Sequence, residues 1–134
     1  MADLARIGVA IDSDLLQSFD KAIARRGYTN RSEAFRDLIR DELSREQGQN
    51  ADANVVGTIT LLYDHHVRLL TERLTETQHH HHGVIVSSLH VHLSHHDCLE
   101  VLVVRGTSAA VRNVADQLIA TKGVKHGKLV LTAI

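Results

Sequence analysis

The sequence predicts an α+β fold in two modules. Three observations carry this. Apolar residues alternate at strand period over Arg6–Ile11 and then recur at helical period through residue 46. A polar stretch without periodicity, QGQNADAN, follows at 47–54. Beyond it the pattern reads β-α-β-β-α-β, the split βαβ, ferredoxin-like order. The domain boundaries are therefore 1–46, a linker at 47–54, and 55–134.

In RIGVAI, Ile7, Val9 and Ile11 share one face and Arg6, Gly8 and Ala10 the other. The next segment places Leu15, Leu16, Phe19 and Ile23 on one helical face. Asp12 or Ser13 can cap its start, and Gly27 stands where a helix-terminating glycine belongs. The second helix opens with Asn30 and Glu33 at capping-box spacing, and its stripe is Ala34, Phe35, Leu38, Ile39 and Leu43. In the second module VVGTITLLYD reads as a strand. HVRLLTERLTETQHH reads as a helix with Leu69, Leu70 and Leu74 on one face. VIVSSLHVHL and CLEVLVVRG are strands joined by the turn SHHD. A helix then carries Val111, Val114, Leu118 and Ile119 inward, with Gly123 at its end, and KLVLTAI closes as a strand.

With 134 residues split over two modules, each is marginal alone and gains from association. One cysteine excludes an intrachain disulfide and fits a reducing compartment. There is no signal-peptide-like run and no stretch of about 18 apolar residues. The chain reads as cytoplasmic, with no membrane partner. A net charge of −1 favours neither nucleic acid nor membrane.

A lone strand with two helices has no pairing partner in its own module. A symmetric dimer solves this, with two strands pairing antiparallel. The result is a ribbon-helix-helix arrangement whose ribbon fits the major groove of DNA. Arg6, Gly8 and Ala10 face outward on it. A ribbon that merely seals a dimer fits the pattern equally well. Arg25 and Arg26 end the first helix and Arg31 begins the second, whose N-terminus offers free N–H groups to a phosphate. The first two arginines also serve as plain complements to the helix dipole.

Histidine is the outlier, at 11 residues. In LHVHLSHHDCLEV, His90 and His92 share a strand face opposite Leu89, Val91 and Leu93, so the strand has a ligand face and a core face. Cys98 follows the turn on the neighbouring strand. Two imidazoles and a thiolate make three ligands. A fourth has several candidate donors: the QHHHH run, His65, His66, His95 and His96. The set suits tetrahedral zinc, or Cu(II) or Ni(II) in a plane. Otherwise Cys98 is a small buried hydrophobe and the histidines are solvated.

RRGYTNRSEAFRDLIR in the first module, with TQHHHH, LHVHLSHHDCLEV and GVKHGKL in the second, resembles the NikR-type nickel-responsive transcriptional regulators over nearly the whole chain. The resemblance implies a homotetramer, a dimer of dimers. Ribbon-helix-helix pairs would flank a core of ferredoxin-like (ACT-like) domains. It implies Ni(II) bound in a plane by His90, His92 and Cys98, with His79 from a neighbouring subunit. Tyr63 and Glu100 would surround the ligands. Operator DNA would be held through Arg6, Gly8, Ala10, Asn30, Arg31 and Ser32. Glu33 and Asp37 match acidic positions that form a cation site in some members. The implied function is a nickel-switched regulator, expected to repress nickel-uptake genes. One departure stands out. Where the resemblance leads one to expect polar outward strand residues after the arginine, this chain has Gly8 and Ala10, which offer no hydrogen bond to a base.

Three rival readings remain on the residues. One is a zinc hydrolase on His90, His92 and Cys98 with Glu100 or Asp97 as base. A second is an antitoxin-like ribbon-helix-helix protein whose second half binds a protein partner. The third is the same regulator tuned to copper or zinc.

Overall fold

A computed structural model describes residues 3–132. It divides into two compact units, Met1–Ile39 and Arg40–Ile134.

The first unit holds helix α1 (Ser13–Arg25) and the beginning of α2 (Arg31–Gln49). Gly27, at φ 88°, ends α1. The Tyr28 N–H donates to the Ile23 carbonyl and the Gly27 N–H to that of Ala24, so a Schellman turn satisfies carbonyls the helix leaves open. Asp12 occupies the N-cap position, but its side chain makes no cap bond. At α2 the Asn30 Oδ1 accepts from the Glu33 N–H at 2.9 Å, and Glu33 itself faces the Thr29 hydroxyl at 3.5 Å, which is half of the expected capping box. Phe19 and Phe35 stack with ring centroids 5.1 Å apart. The expected strand at Arg6–Ile11 is not formed. Residues 3–12 carry no regular secondary structure, because a strand needs a backbone partner and the described residues supply none. Ile7, Val9, Leu15, Leu38 and Ile39 are all exposed, so this unit does not complete its own core.

The second unit starts within α2, which runs to Gln49 and so takes up the first three residues of the stretch read as a linker. There follow β1 (Asn54–Asp64), α3 (Leu70–His80), β2 (Ile85–His92), β3 (Asp97–Thr107), α4 (Ser108–Ile119) and β4 (Val124–Thr132). The four strands form one antiparallel sheet in the order β2-β3-β1-β4. Strand period puts Val55, Ile59, Leu61 and Tyr63 of β1, with Cys98, Leu102 and Val104 of β3, against Leu70, Leu74, Val111, Val114 and Leu118 of the helices. Thr107 caps α4, accepting from the Ala110 N–H. A Cβ on Gly127 would lie 2.6 Å from Ile119, so only glycine lets α4 approach β4 this closely.

The helix after β1 begins at Leu70 rather than near His66, and Leu69 is half exposed instead of sharing the buried face. Residues 65–69 are a turn, with Leu69 at φ 64°, a left-handed conformation that interrupts helical backbone. Leu89, Val91 and Leu93 do not enter a core: β2 is an edge strand, and its second face has no covering layer among the described residues. The last strand begins at Val124, earlier than expected, and Ala133 and Ile134, which the sequence reading gave to it, lie outside the described residues.

Candidate metal centre

The β2–β3 register brings the candidate ligands together. His92 pairs with Cys98, and His90 with Glu100. All four side chains are on the helix-covered face, since Cys98 and Glu100 are buried there and His90 reaches Glu100 directly.

Glu100 is the centre of a bonded group. It has no solvent exposure. Its Oε2 lies 2.8 Å from His90 Nε2 and accepts from Gln78 Nε2 at 3.0 Å. Its Oε1 accepts from the Tyr63 hydroxyl at 3.3 Å, and that hydroxyl is also 3.4 Å from His90 Nδ1. Burial raises the ionisation range of the Tyr63 phenol, and the Glu100 charge and the Cys98 sulfur push it further. Tyr63 therefore stays neutral and acts as a donor. Gln78 was not legible as a participant. Its signal, a glutamine directly before the histidine run, was present but lacked a partner until the sheet was assembled.

His79 does not join this group in the chain. It is exposed on the last turn of α3. Gln78 points into the site, and one helical residue onward turns about 100° away. Among the described residues, the one set of three donors with ligand atoms within 4.8 Å is Asp64, His65 and His66, which does not include the candidate ligands.

The predicted DNA residues lie in the first unit. Arg6, Gly8 and Ala10 are in the exposed, irregular stretch, and Asn30, Arg31 and Ser32 are exposed at the start of α2. Arg31 is held by Asp20 through two bonds of 2.8 and 2.7 Å. This pairing holds the Asp20 carboxyl below the usual carboxylate range and raises Arg31. Of the two acidic positions, Asp37 accepts from the Tyr28 hydroxyl at 2.6 Å.

Comparison with known proteins decides the family. Residues 56–132 match the model described as the NikR C terminal nickel binding domain. Residues 5–46 match that of the ribbon-helix-helix protein, copG family. A protein of Solibacter usitatus, provisionally named a nickel-responsive regulator, is 67% identical over 98% of this chain and 95% of its own length. Proteins of the same name from Geobacter sulfurreducens and Trichlorobacter lovleyi are 58% and 56% identical, over 98% and 99% of this chain and 95% and 96% of their own lengths. The chain belongs to the NikR-type nickel-responsive regulators.

As a nickel-responsive regulator it combines a ribbon-helix-helix DNA-binding region with a nickel-binding domain, and Ni(II) is its metal. It is a regulator and not an enzyme, so the hydrolase reading is set aside. The antitoxin-like reading also falls, because the second half matches a nickel-binding domain. Its partners are DNA and further copies of itself. No helix among the described residues is long and apolar enough to cross a membrane. The residues present fit nickel. A buried thiol and two imidazoles on adjacent paired strands supply soft and borderline donors, and a buried carboxylate orients one imidazole.

Proposed function

We propose that this regulator binds Ni(II) through His90, His92 and Cys98 of one subunit and His79 of a neighbour, and that nickel-loaded protein represses nickel-uptake genes in the cytoplasm. The observation that carries this is the split between Gln78 and His79. Gln78 turns inward to Glu100 and His79 turns out to solvent, while His90, His92 and Cys98 share one face of two paired strands. A ligand presented outward is suited to complete a site on another copy.

The open sheet face supports a homotetramer built as a dimer of dimers. Leu89 and Leu93 are 61% and 56% exposed and Val130 51%, which is apolar surface that association would cover. The unfinished first unit supports pairing of the Arg6–Ile11 segments between two chains, with Arg6, Gly8 and Ala10 toward the bases. Asn30, Arg31 and Ser32 at the α2 N-terminus would meet phosphate. Glu33 and Asp37 would help hold a cation. A metal whose ligands come from two subunits binds only the assembled form, so nickel stabilises that form by mass action and couples to DNA binding.

The test is a selection on sheared genomic DNA of the source organism, once with one nickel per subunit and once with a chelator. A two-fold symmetric site recovered only with nickel, upstream of genes that nickel then silences, is the expected result. Equal recovery in both conditions would sink the proposal.

A further inference from the structure

The stretch read as a linker is fastened along its length. Helix α2 ends at Gln49, so the carbonyls of its last turn have no partner within the helix. The Gln47 carbonyl accepts from the Asn50 N–H at 3.2 Å. The Gly48 carbonyl is taken by α4. It accepts from the Ser108 hydroxyl, and from Arg112 Nε at 3.0 Å. Arg112 Nε also lies 3.3 Å from Ser108 Oγ, so the two donors, one helical turn apart, hold each other in place. Ser108 has no solvent exposure. Past the helix, the Ala51 and Ala53 carbonyls accept from the Ala109 and Ser108 N–H groups at 3.0 and 2.8 Å. The Ala53 N–H donates to the Asn50 carbonyl at 3.1 Å, and Gln47 Nε2 to the Asn54 carbonyl at 2.9 Å.

Two helix ends of opposite polarity meet through this segment. The last turn of α2, residues 46–49, holds no basic residue of its own. Its negative end receives the Arg112 guanidinium from α4 instead. The first turn of α4 holds no acidic residue. Its open N–H groups receive the Ala51 and Ala53 carbonyls, and the Thr107 side chain receives that of Ala110. A charged donor and a buried hydroxyl make the grip on Gly48 stronger than an exposed turn bond. Helix α4 in turn follows β3 without an intervening residue, and β3 carries Cys98 and Glu100. All of these contacts lie within the second unit, in which α2 ends.

We infer that Ser108 and Arg112 are positioning residues for the nickel response. They clasp the end of α2 to α4, and through α4 to β3. Ordering of β3 by nickel is then transmitted to the helix that continues into the DNA-binding region. A slack linker would leave the end of α2 free whatever happened at the metal, and coupling needs a connected element that both sites bias. The inference rests on the reading of Cys98 as a nickel ligand, and on neither His79 nor the direction of regulation.

Hydrogen exchange on the full-length protein, with one nickel per subunit and with a chelator, tests this beside DNA binding. In wild type the Asn50 and Ala53 amides should be protected, and nickel should slow their exchange further, by about 5–150-fold for a coupling of ordinary size. Ser108→Ala/Arg112→Ala should lose that nickel-dependent part while keeping the thiolate-to-nickel absorption band and the nickel affinity of wild type. On a duplex recovered by the genomic selection above, fluorescence anisotropy should show an unchanged nickel-free affinity and a nickel-dependent gain cut by about tenfold or more. Arg112→Ala alone changes an exposed residue, so it keeps the test decisive if the buried Ser108 change impairs folding, and it should lose part of the gain. Wild-type Asn50 and Ala53 amides that exchange at unfolded-chain rates would overturn the clasp. So would variants that keep the full gain, or an Arg112→Ala protein that loses the band, since the pair would then serve the metal domain's fold. Absence of the band in wild type would instead count against Cys98 as a ligand, while the amides still judge the clasp.

Discussion

His90 Nε2 lies 2.8 Å from Glu100 Oε2, a surface imidazole bound to a carboxylate with no exposure of its own. The pair faces each other because β2 and β3 hold register from Ser87 to His92. A carboxylate behind a ligand histidine fixes the ring's orientation and raises its basicity. Glu100→Gln keeps the shape and removes the charge. Nickel affinity should fall about 10–100-fold, with the thiolate band unshifted, as measured by competition with a chelator. Unchanged affinity would mean that Glu100 serves only the fold.

Tyr63 yields a stability prediction in alkali. Its phenol is held neutral by burial and by Glu100, so its folded ionisation lies above the unfolded value of about 10. The folded state then keeps a proton that the unfolded chain gives up. This contribution is complete below about pH 10 and shrinks as pH rises from there toward the folded value, by up to about 1.4 kcal/mol per unit. Tyr63→Phe should flatten the loss. Urea unfolding of both proteins at pH 9 and pH 11 reads it, and parallel losses would refute the argument.

Arg31 and Asp20 make a paired contact where a phosphate is expected. DNA must compete with Asp20 for the guanidinium. Asp20→Asn should therefore tighten operator binding, and the slope of log affinity against log salt should steepen by about 0.9 for one more phosphate contact. Fluorescence anisotropy over a salt series gives both values. A weaker complex with an unchanged slope would show that Asp20 positions Arg31 rather than withholding it.

Gly8 and Ala10 carry no base-reading groups. Gly8→Thr/Ala10→Thr should change operator preference, with each good new base contact contributing about 1–3 kcal/mol of discrimination. Sequencing of selected random duplexes would show the altered preference. A site profile identical to wild type would remove this segment as the reader.

The apolar sheet face predicts an assembly defect. Leu89 is 61% exposed, so Leu89→Asp should change single-chain stability by no more than about 0.5 kcal/mol. The proposed tetramer should come apart into dimers. Sedimentation equilibrium measures the mass, and a full-sized assembly at micromolar concentration would place the interface elsewhere.

Apart from the Arg6–Ile11 strand, which the single chain does not form, the element order of this protein was legible in its sequence, because each element announces itself locally. Period-2 alternation marks β1 and β3, period-3.6 stripes mark α1 and α4, and Gly27 marks a helix end. The His90, His92 and Cys98 grouping was legible for the same reason. Alternation and one short turn are enough to put three side chains on one face. Tertiary structure alone decided the rest. Gln78 meets Glu100 only when α3 lies on the sheet, and Asp64 meets His96 only when two loops far apart in sequence converge at one sheet end. The exposed state of Leu89 and Val91 follows from strand order, since alternation cannot say which face of an edge strand is covered. Local sequence carries propensity and facing. Burial and non-local contact come from packing, so only the folded chain reveals them.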